Sequence, residues 1–144
     1  MAKLSIVLPE KMEFSTSIKI RITDINYGGH LGNDTLLSLL HEARVRFLAS
    51  KDCKELNCFG SGLIMNSVQI DYKSEAFYAD ILDVQVGIIE ITKTGFELGY
   101  RFVSRTTGLE VAKALNGMVF FNFEKRRVVR TPERFREAFK LEEV

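Results

Sequence analysis

The feature that most constrains this chain is a change in the period of its apolar residues. They recur at helical spacing before residue 50 and at every second position after residue 62. In "NDTLLSLLHEARVRFLAS", Leu36, Leu40, Ala43 and Phe47 follow the helical repeat, and Leu37 and Leu48 widen the stripe. A helix this apolar must be wrapped by other structure. Asn33 or Asp34 is its expected N-cap. Four stretches then alternate: "LIMNSVQIDYK" at 63–73, "ILDVQVGIIEIT" at 81–92, "FELGYRFVSRT" at 96–106 and "EVAKALNGMVFFNF" at 110–123. Lys93-Thr94-Gly95 and Thr106-Thr107-Gly108 supply hairpin turns between them. Upstream, "EFSTSIKIRIT" at 13–23 puts Ile18, Ile20 and Ile22 on one face and Lys19 and Arg21 on the other. Thr131-Pro132 opens a closing helix over "PERFREAFKLEE". The pattern predicts an α+β fold, a curled antiparallel β-sheet around one long central helix, with residues 1–144 as a single domain. Val84, Val86, Ile88 and Phe102 are expected on the sheet's open face, where another subunit would cover them.

Composition narrows the function classes. The 20 basic and 19 acidic side chains leave a net charge of +1, against the basic excess that a broad nucleic-acid surface needs. No apolar run approaches the roughly 18 residues of a membrane-spanning helix. The opening "MAKLSIVLPEKMEF" is too short in apolar residues for a secretory signal. The cytoplasm is therefore expected, with Cys53 and Cys58 reduced. A C-x4-C spacing without a second pair is a poor zinc signature. No metal and no cofactor is expected.

The chemistry concentrates in "RITDINYGGHLGND", Arg21 to Asp34. Gly28, Gly29 and Gly32 precede a helix start, where backbone N–H groups lack intrahelical partners and the dipole favours negative charge. Such a site can polarise a carbonyl without any special side chain. Histidine is the side chain whose ordinary pKa, about 6.5, suits a base near neutral pH, so His30 is a candidate. Asp24 and Asn26 share a face if the first strand persists that far. Asp24 has a second reading as a turn cap, and Glu42 with Arg46 one as an i,i+4 ion pair.

These residues resemble the hotdog-fold acyl-CoA thioesterases of the 4-hydroxybenzoyl-CoA thioesterase-like group, over residues 13 to 139. That family carries R-x-x-D-x-D-x-x-G-H-V-N-N, followed by a helix with Y-L and E-x-A-R. Arg21, Asp24, Gly29, His30, Asn33, Leu37, Glu42, Ala43 and Arg44 match in register. "DYKSEAFYADIL" is similar to the family's Y-x-x-P-x-x-x-G-D connection, with Ala76 for the proline, Ala79 for the glycine and Asp80 kept. The departures fall at the chemistry. Asn26 stands where the family has its second aspartate, the nucleophile or general base; Gly32 replaces an asparagine and Leu36 the tyrosine. Asn26 and His30 also resemble, in part, the D-x-N-x-H-V-N-N of acyl-carrier-protein thioesterases.

The resemblance implies hydrolysis of a small or medium acyl-CoA or acyl-carrier-protein thioester by a homodimer or homotetramer, without nucleic acid or membrane. It implies Asn26, His30 and Asp24 as catalytic residues, with the base ranked His30 with Asn26 first, Asp24 second and Glu42 third. Tyr27, Gly28, Gly29, Leu31 and Asn33 would line the substrate, and Lys73, Arg101 and Arg105 would meet the CoA phosphates, with Arg126 and Arg127 as alternatives. The acyl pocket would draw on Tyr27, the central helix and a partner's Met65 or Phe77. Two other readings stay open: a non-hydrolysing acyl-CoA binding protein, since the acid is absent at 26, and a hydratase or dehydratase of the same fold.

Overall fold

A computed structural model describes residues 5–140. Its elements are β1 (Phe14–Lys19), α1 (Asn33–Ala49), β2 (Gly62–Tyr72), β3 (Ile81–Ile91), β4 (Gly95–Ser104), β5 (Glu110–Asn122), β6 (Arg127–Val128) and α2 (Glu133–Ala138). The expected helix over "PERFREAFKLEE" begins one residue in, and its last residues, Leu141 to Glu143, lie outside the described ones. The sheet runs in the order β1-β3-β4-β5-β2, with the short β6 on β5, and every pairing is antiparallel.

The alternating stretches form strands because one set of side chains packs on α1. Leu36, Leu39, Leu40, Ala43, Phe47 and Leu48 of α1 join Leu82, Val84, Val86, Tyr100, Phe102, Ala112, Ala114 and Phe120 of the sheet in one buried cluster. Phe135 of α2 stacks on Phe96 at 4.6 Å and on Phe139 at 4.5 Å, and Phe139 meets Phe47 at 5.4 Å. The closing helix therefore seals the end of the core beside the last turns of α1.

Four expectations need correction. Val84, Val86, Ile88 and Phe102 are all within 4% of full burial and lie in the core cluster with α1, not on an open face. The helix takes the apolar side of the sheet, and the other side is crossed by the chain's own N-terminal segment. Ile6 N–H donates to the Asp71 carboxylate at 3.1 Å, and the Glu13 carboxylate accepts from Ile88 N–H at 2.9 Å. Between them, Leu8 passes over Gly99 and Met12 over Gly87, two glycines that face each other across β3 and β4. A Cβ at Gly99 would come within 2.7 Å of Leu8 Cδ2. The paired glycines form the channel in which the segment lies.

The second correction concerns the first strand. It ends at Lys19, and Ile22–Asp24 form a 3₁₀ turn that leaves Ile22 exposed. Third, α1 is capped by Gly32, with no side-chain hydrogen bond, rather than by Asn33 or Asp34. Fourth, Cys53 and Cys58 are joined in a disulfide. The chain reverses after α1 through Asp52, at φ 61°, which brings the two Cα atoms to 4.5 Å. Neither compartment nor C-x4-C spacing registers this loop geometry. A five-residue closure constrains the unfolded chain by about 2 kcal/mol. The Cys53→Ser/Cys58→Ser double variant should lose about that much stability in urea unfolding.

The disulfide loop also positions a charge. Arg44, buried within α1, donates through Nε to Glu55 Oε1 at 2.6 Å and through Nη1 to Asn116 Oδ1 at 3.1 Å. Tyr100 Oη donates to the same Asn116 oxygen at 2.7 Å, and His41 Nε2 lies 3.0 Å from Glu55 Oε2. Burial pushes the Glu55 carboxyl up, but hydrogen bonds and charge from Arg44 and His41 outweigh it and hold the group below its ordinary value. Among the described residues no helix is long and apolar enough to cross a membrane.

Candidate active site

The residues of the glycine-rich loop are gathered by a small turn. Ile25 and Leu31 form an isolated antiparallel bridge. Asn26 N–H donates to the His30 carbonyl at 2.9 Å, and Gly29 N–H to the Asn26 carbonyl at 3.1 Å. Gly29 holds φ 83°, a conformation glycine adopts without steric cost. Asn26 Oδ1 accepts from Gly28 N–H at 2.9 Å. A Cβ at Gly28 would stand 3.2 Å from Asn26 Oδ1 and 3.4 Å from His30 Nε2. The amide and the imidazole thus converge on one point that only glycine leaves open.

His30 lies at the rim of a cavity of about 280 Å³ against the start of α1, lined by Leu31, Gly32, Asn33, Leu36, Tyr72, Lys73, Glu75 and Val111 among others. The N–H groups of Asn33, Asp34 and Thr35 are the first of the helix. They have no intrahelical acceptor and no capping side chain. Tyr72 Oη donates to the Asn33 carbonyl at 2.8 Å, tying the helix start to the end of β2. Burial, and then the Asp34 charge, raise the Tyr72 phenol above its ordinary value, so it stays a donor. Leu31 N–H donates to the Ala76 carbonyl at 2.8 Å, which joins the His30 loop to the connection after β2.

Of the expected site residues, His30, Leu31, Asn33 and Lys73 line this cavity. Asn26, Gly28 and Gly29 lie in the adjoining turn. Tyr27 is fully exposed and does not line it. Asp24 is buried and turned away: its carboxylate accepts from Arg21 N–H at 2.8 Å and pairs with the Arg21 guanidinium at 3.3 Å. The 3₁₀ turn breaks the face that Asp24 and Asn26 would have shared. Arg105 is outside the cavity, bound to Asp83 at 2.6 Å and to Ser17 at 2.9 Å. Arg101 pairs with Glu110 at 3.5 Å. Glu42 bonds Arg46 at 2.9 Å, the i,i+4 pair that its spacing suggests. Asp80 accepts from Ser104 and Thr106 hydroxyls at 2.5 and 2.8 Å, fixing its connection.

One residue escaped the sequence reading. Glu75 lines the cavity, and its Oε1 lies 3.8 Å from His30 Nε2. A lone glutamate in a connection carries no periodic signal. The available sign is its place in the family pattern: counted from Tyr72, the proline of Y-x-x-P falls on Glu75 and not on the expected Ala76.

A curled antiparallel sheet around one long helix, with a cavity at that helix's N-terminus, defines the hotdog class. The sequence profile of the thioesterase-like superfamily matches residues 20–139, and the chain belongs to that family. No curated protein sequence matches it significantly. Among solved structures it is similar to a 1,4-dihydroxy-2-naphthoyl-CoA thioesterase from Synechocystis at 20% identity, with a TM-score of 0.79 covering 88% of this chain and 94% of that one. A gentisyl-coenzyme A thioesterase is similar at 21% identity and a TM-score of 0.77, covering 88% and 99%. A DHNA-CoA thioesterase from Staphylococcus aureus matches at 13% identity and a TM-score of 0.79, covering 87% of each chain. At these identities the likeness is one of fold.

Proposed function

We propose that this protein hydrolyses the thioester of a small or medium acyl-CoA, or the equivalent acyl-carrier-protein thioester, in the cavity at the start of α1. The observation that carries this is the meeting of an imidazole and an uncapped helix N-terminus in one cavity. The volume of about 280 Å³ lies at the small end for ligand pockets. Leu36 and Val111 offer it apolar walls.

Bottom-up, each group has one task. The thioester oxygen accepts from the Asn33–Thr35 amides, which stabilise the charge that develops there. His30 Nδ1 lies 3.1 Å from the Leu31 carbonyl oxygen; a carbonyl only accepts, so Nδ1 carries the proton and Nε2 the lone pair. Nε2 takes a proton from water as the water oxygen bonds to the carbonyl carbon. Collapse of the tetrahedral intermediate breaks the C–S bond, and Nε2 returns the proton to the departing sulfur. Asn26 uses its oxygen on Gly28, which leaves its NH₂ group as a donor to the water or the carbonyl. Asp24 has no step of its own and supports the turn through Arg21. Lys73 is the cation best placed for a CoA phosphate.

A second reading, binding without turnover, is favoured by the amide at position 26. Asn26→Asp separates the two, because an aspartate keeps the acceptor for Gly28 N–H while adding a base. In a thiol-release assay over aliphatic and aryl acyl-CoAs, wild type is expected to turn over. Wild type that binds but releases thiol only after Asn26→Asp would establish the second reading instead.

The assembly we propose is a homodimer through β2. That strand ends the sheet and exposes Ile64, Met65 and Val68. Among the described residues no strand pairs with its outer edge, and such an 11-residue edge is a template for antiparallel pairing with a second copy. The outer face, crossed by the N-terminal segment, is less suited to stacking two dimers. Light scattering should give twice the mass of one chain.

A further inference from the structure

We infer that Glu75 is the carboxylate of this site, a positioning residue whose charge supports the imidazolium formed at His30 during hydrolysis. This rests on the thioesterase reading and adds the acidic partner that position 26 no longer supplies. Of the other carboxylates near this loop, Asp24 is committed to Arg21, Glu42 to Arg46 and Asp80 to Ser104 and Thr106, while Asp34 lies beside Gly32 and Tyr72. Among the described residues Glu75 is the carboxylate that meets the imidazole, with Oε1 at 3.8 Å from Nε2. Its backbone neighbour Ala76 accepts from Leu31, the neighbour of His30. The two side chains therefore flank one fixed hydrogen bond.

The need for such a group follows from where the base sits. A histidine that gains a proton beside a helix N-terminus becomes a cation next to the positive end of the dipole. Lys73 lines the same cavity and adds a second positive charge. Of the other groups near this cavity, Tyr72 is neutral and donates to Asn33, and Asp34, in the first turn of α1, places its negative charge toward Tyr72. With neutral His30 the Nε2 lone pair faces Glu75, and a water between them can donate to both. Once Nε2 holds the proton, the nearby carboxylate charge stabilises the imidazolium until that proton passes to the departing sulfur. The Glu75 side chain is 65% exposed, so it is free to rotate and close the remaining distance.

The test is Glu75→Gln, which keeps the shape and removes the charge on an exposed side chain, with Glu75→Asp alongside. Glu75→Gln is expected to lower kcat by on the order of 10-fold to 100-fold with KM nearly unchanged, a fraction of what losing the base itself removes. The acidic limb of the kcat/KM profile should move to lower pH, the direction set by losing a nearby opposite charge. Glu75→Asp should recover part of both effects. An NMR titration of the His30 ring protons, with His41 as internal reference, should show the same downward move in Glu75→Gln. An unmoved His30 titration overturns the inference, whether or not wild type turns over. Wild-type kcat and an unmoved acidic limb in Glu75→Gln overturn it as well, and leave the thioesterase reading intact if His30→Ala is impaired. Absence of thiol release by wild type removes the thioesterase reading, while the titration still decides whether Glu75 supports the imidazolium.

Discussion

Replacing His30 by alanine is expected to reduce thiol release by on the order of 10²–10⁴-fold, the range for removing a positioned general base. The effect should fall on kcat more than on KM. The ring lies at the cavity rim rather than in the core, and its loop is held by backbone bonds that alanine retains: Asn26 to the His30 carbonyl and Leu31 to Ala76. Stability should change little, which separates this result from unfolding. The residual rate would come from the amides at the start of α1, which need no imidazole to hold the carbonyl oxygen. A loss of only a few-fold would assign the base to another group.

The second large effect lies away from the chemistry. Glu55→Ala should destabilise the protein by about 3 kcal/mol, because it strands the buried Arg44 cation without its partner. Arg44 would keep Asn116 but no negative charge. Urea unfolding reads this directly, and Glu55→Gln should fall between the two. The same pair sets an acid limit. The Glu55 carboxyl is held below its ordinary value of 4.5 in the fold. Its contribution is fully present above that value, and is lost as pH falls through the lowered one. Wild type should therefore lose stability more steeply than Glu55→Gln below about pH 4.5.

The architecture was largely legible from periodicity. The stretches expected at 81–92 and 110–123 form strands at Ile81–Ile91 and Glu110–Asn122, because side chains that alternate between core and surface leave a period-two record. The same record does not say which face is inward. Val84 and Val86 were placed outside, and only the need of α1 for an apolar bed reverses that. Ile22 continued the alternation by composition, yet the Asp24 carboxylate draws the Arg21 N–H into a turn, a local bond that a hydrophobic pattern does not register. The N-terminal segment over Gly87 and Gly99 was equally silent, since a glycine pair has meaning only once the register of two strands is known.

The site was legible where backbone chemistry makes it. Glycines before an apolar helix mark where that helix starts, and His30 lies beside it, although the N-cap is Gly32 and not the expected Asn33 or Asp34. Side-chain pairings across distant segments were not. Arg105 meets Asp83 and Ser17 through strand register, and Glu75 meets His30 because Leu31 bonds Ala76. Cys53 and Cys58 depended on how tightly the chain turns after α1.

The most direct measurement is an amide chemical-shift map of the protein with a ketone analogue of acyl-CoA, in which a methylene separates sulfur from carbonyl. Large shifts at the Asn33, Asp34 and Thr35 amides, together with the His30 ring, are the expected result. Saturable binding that leaves those three amides unmoved and perturbs another surface would contradict the assignment of this helix start as the carbonyl site.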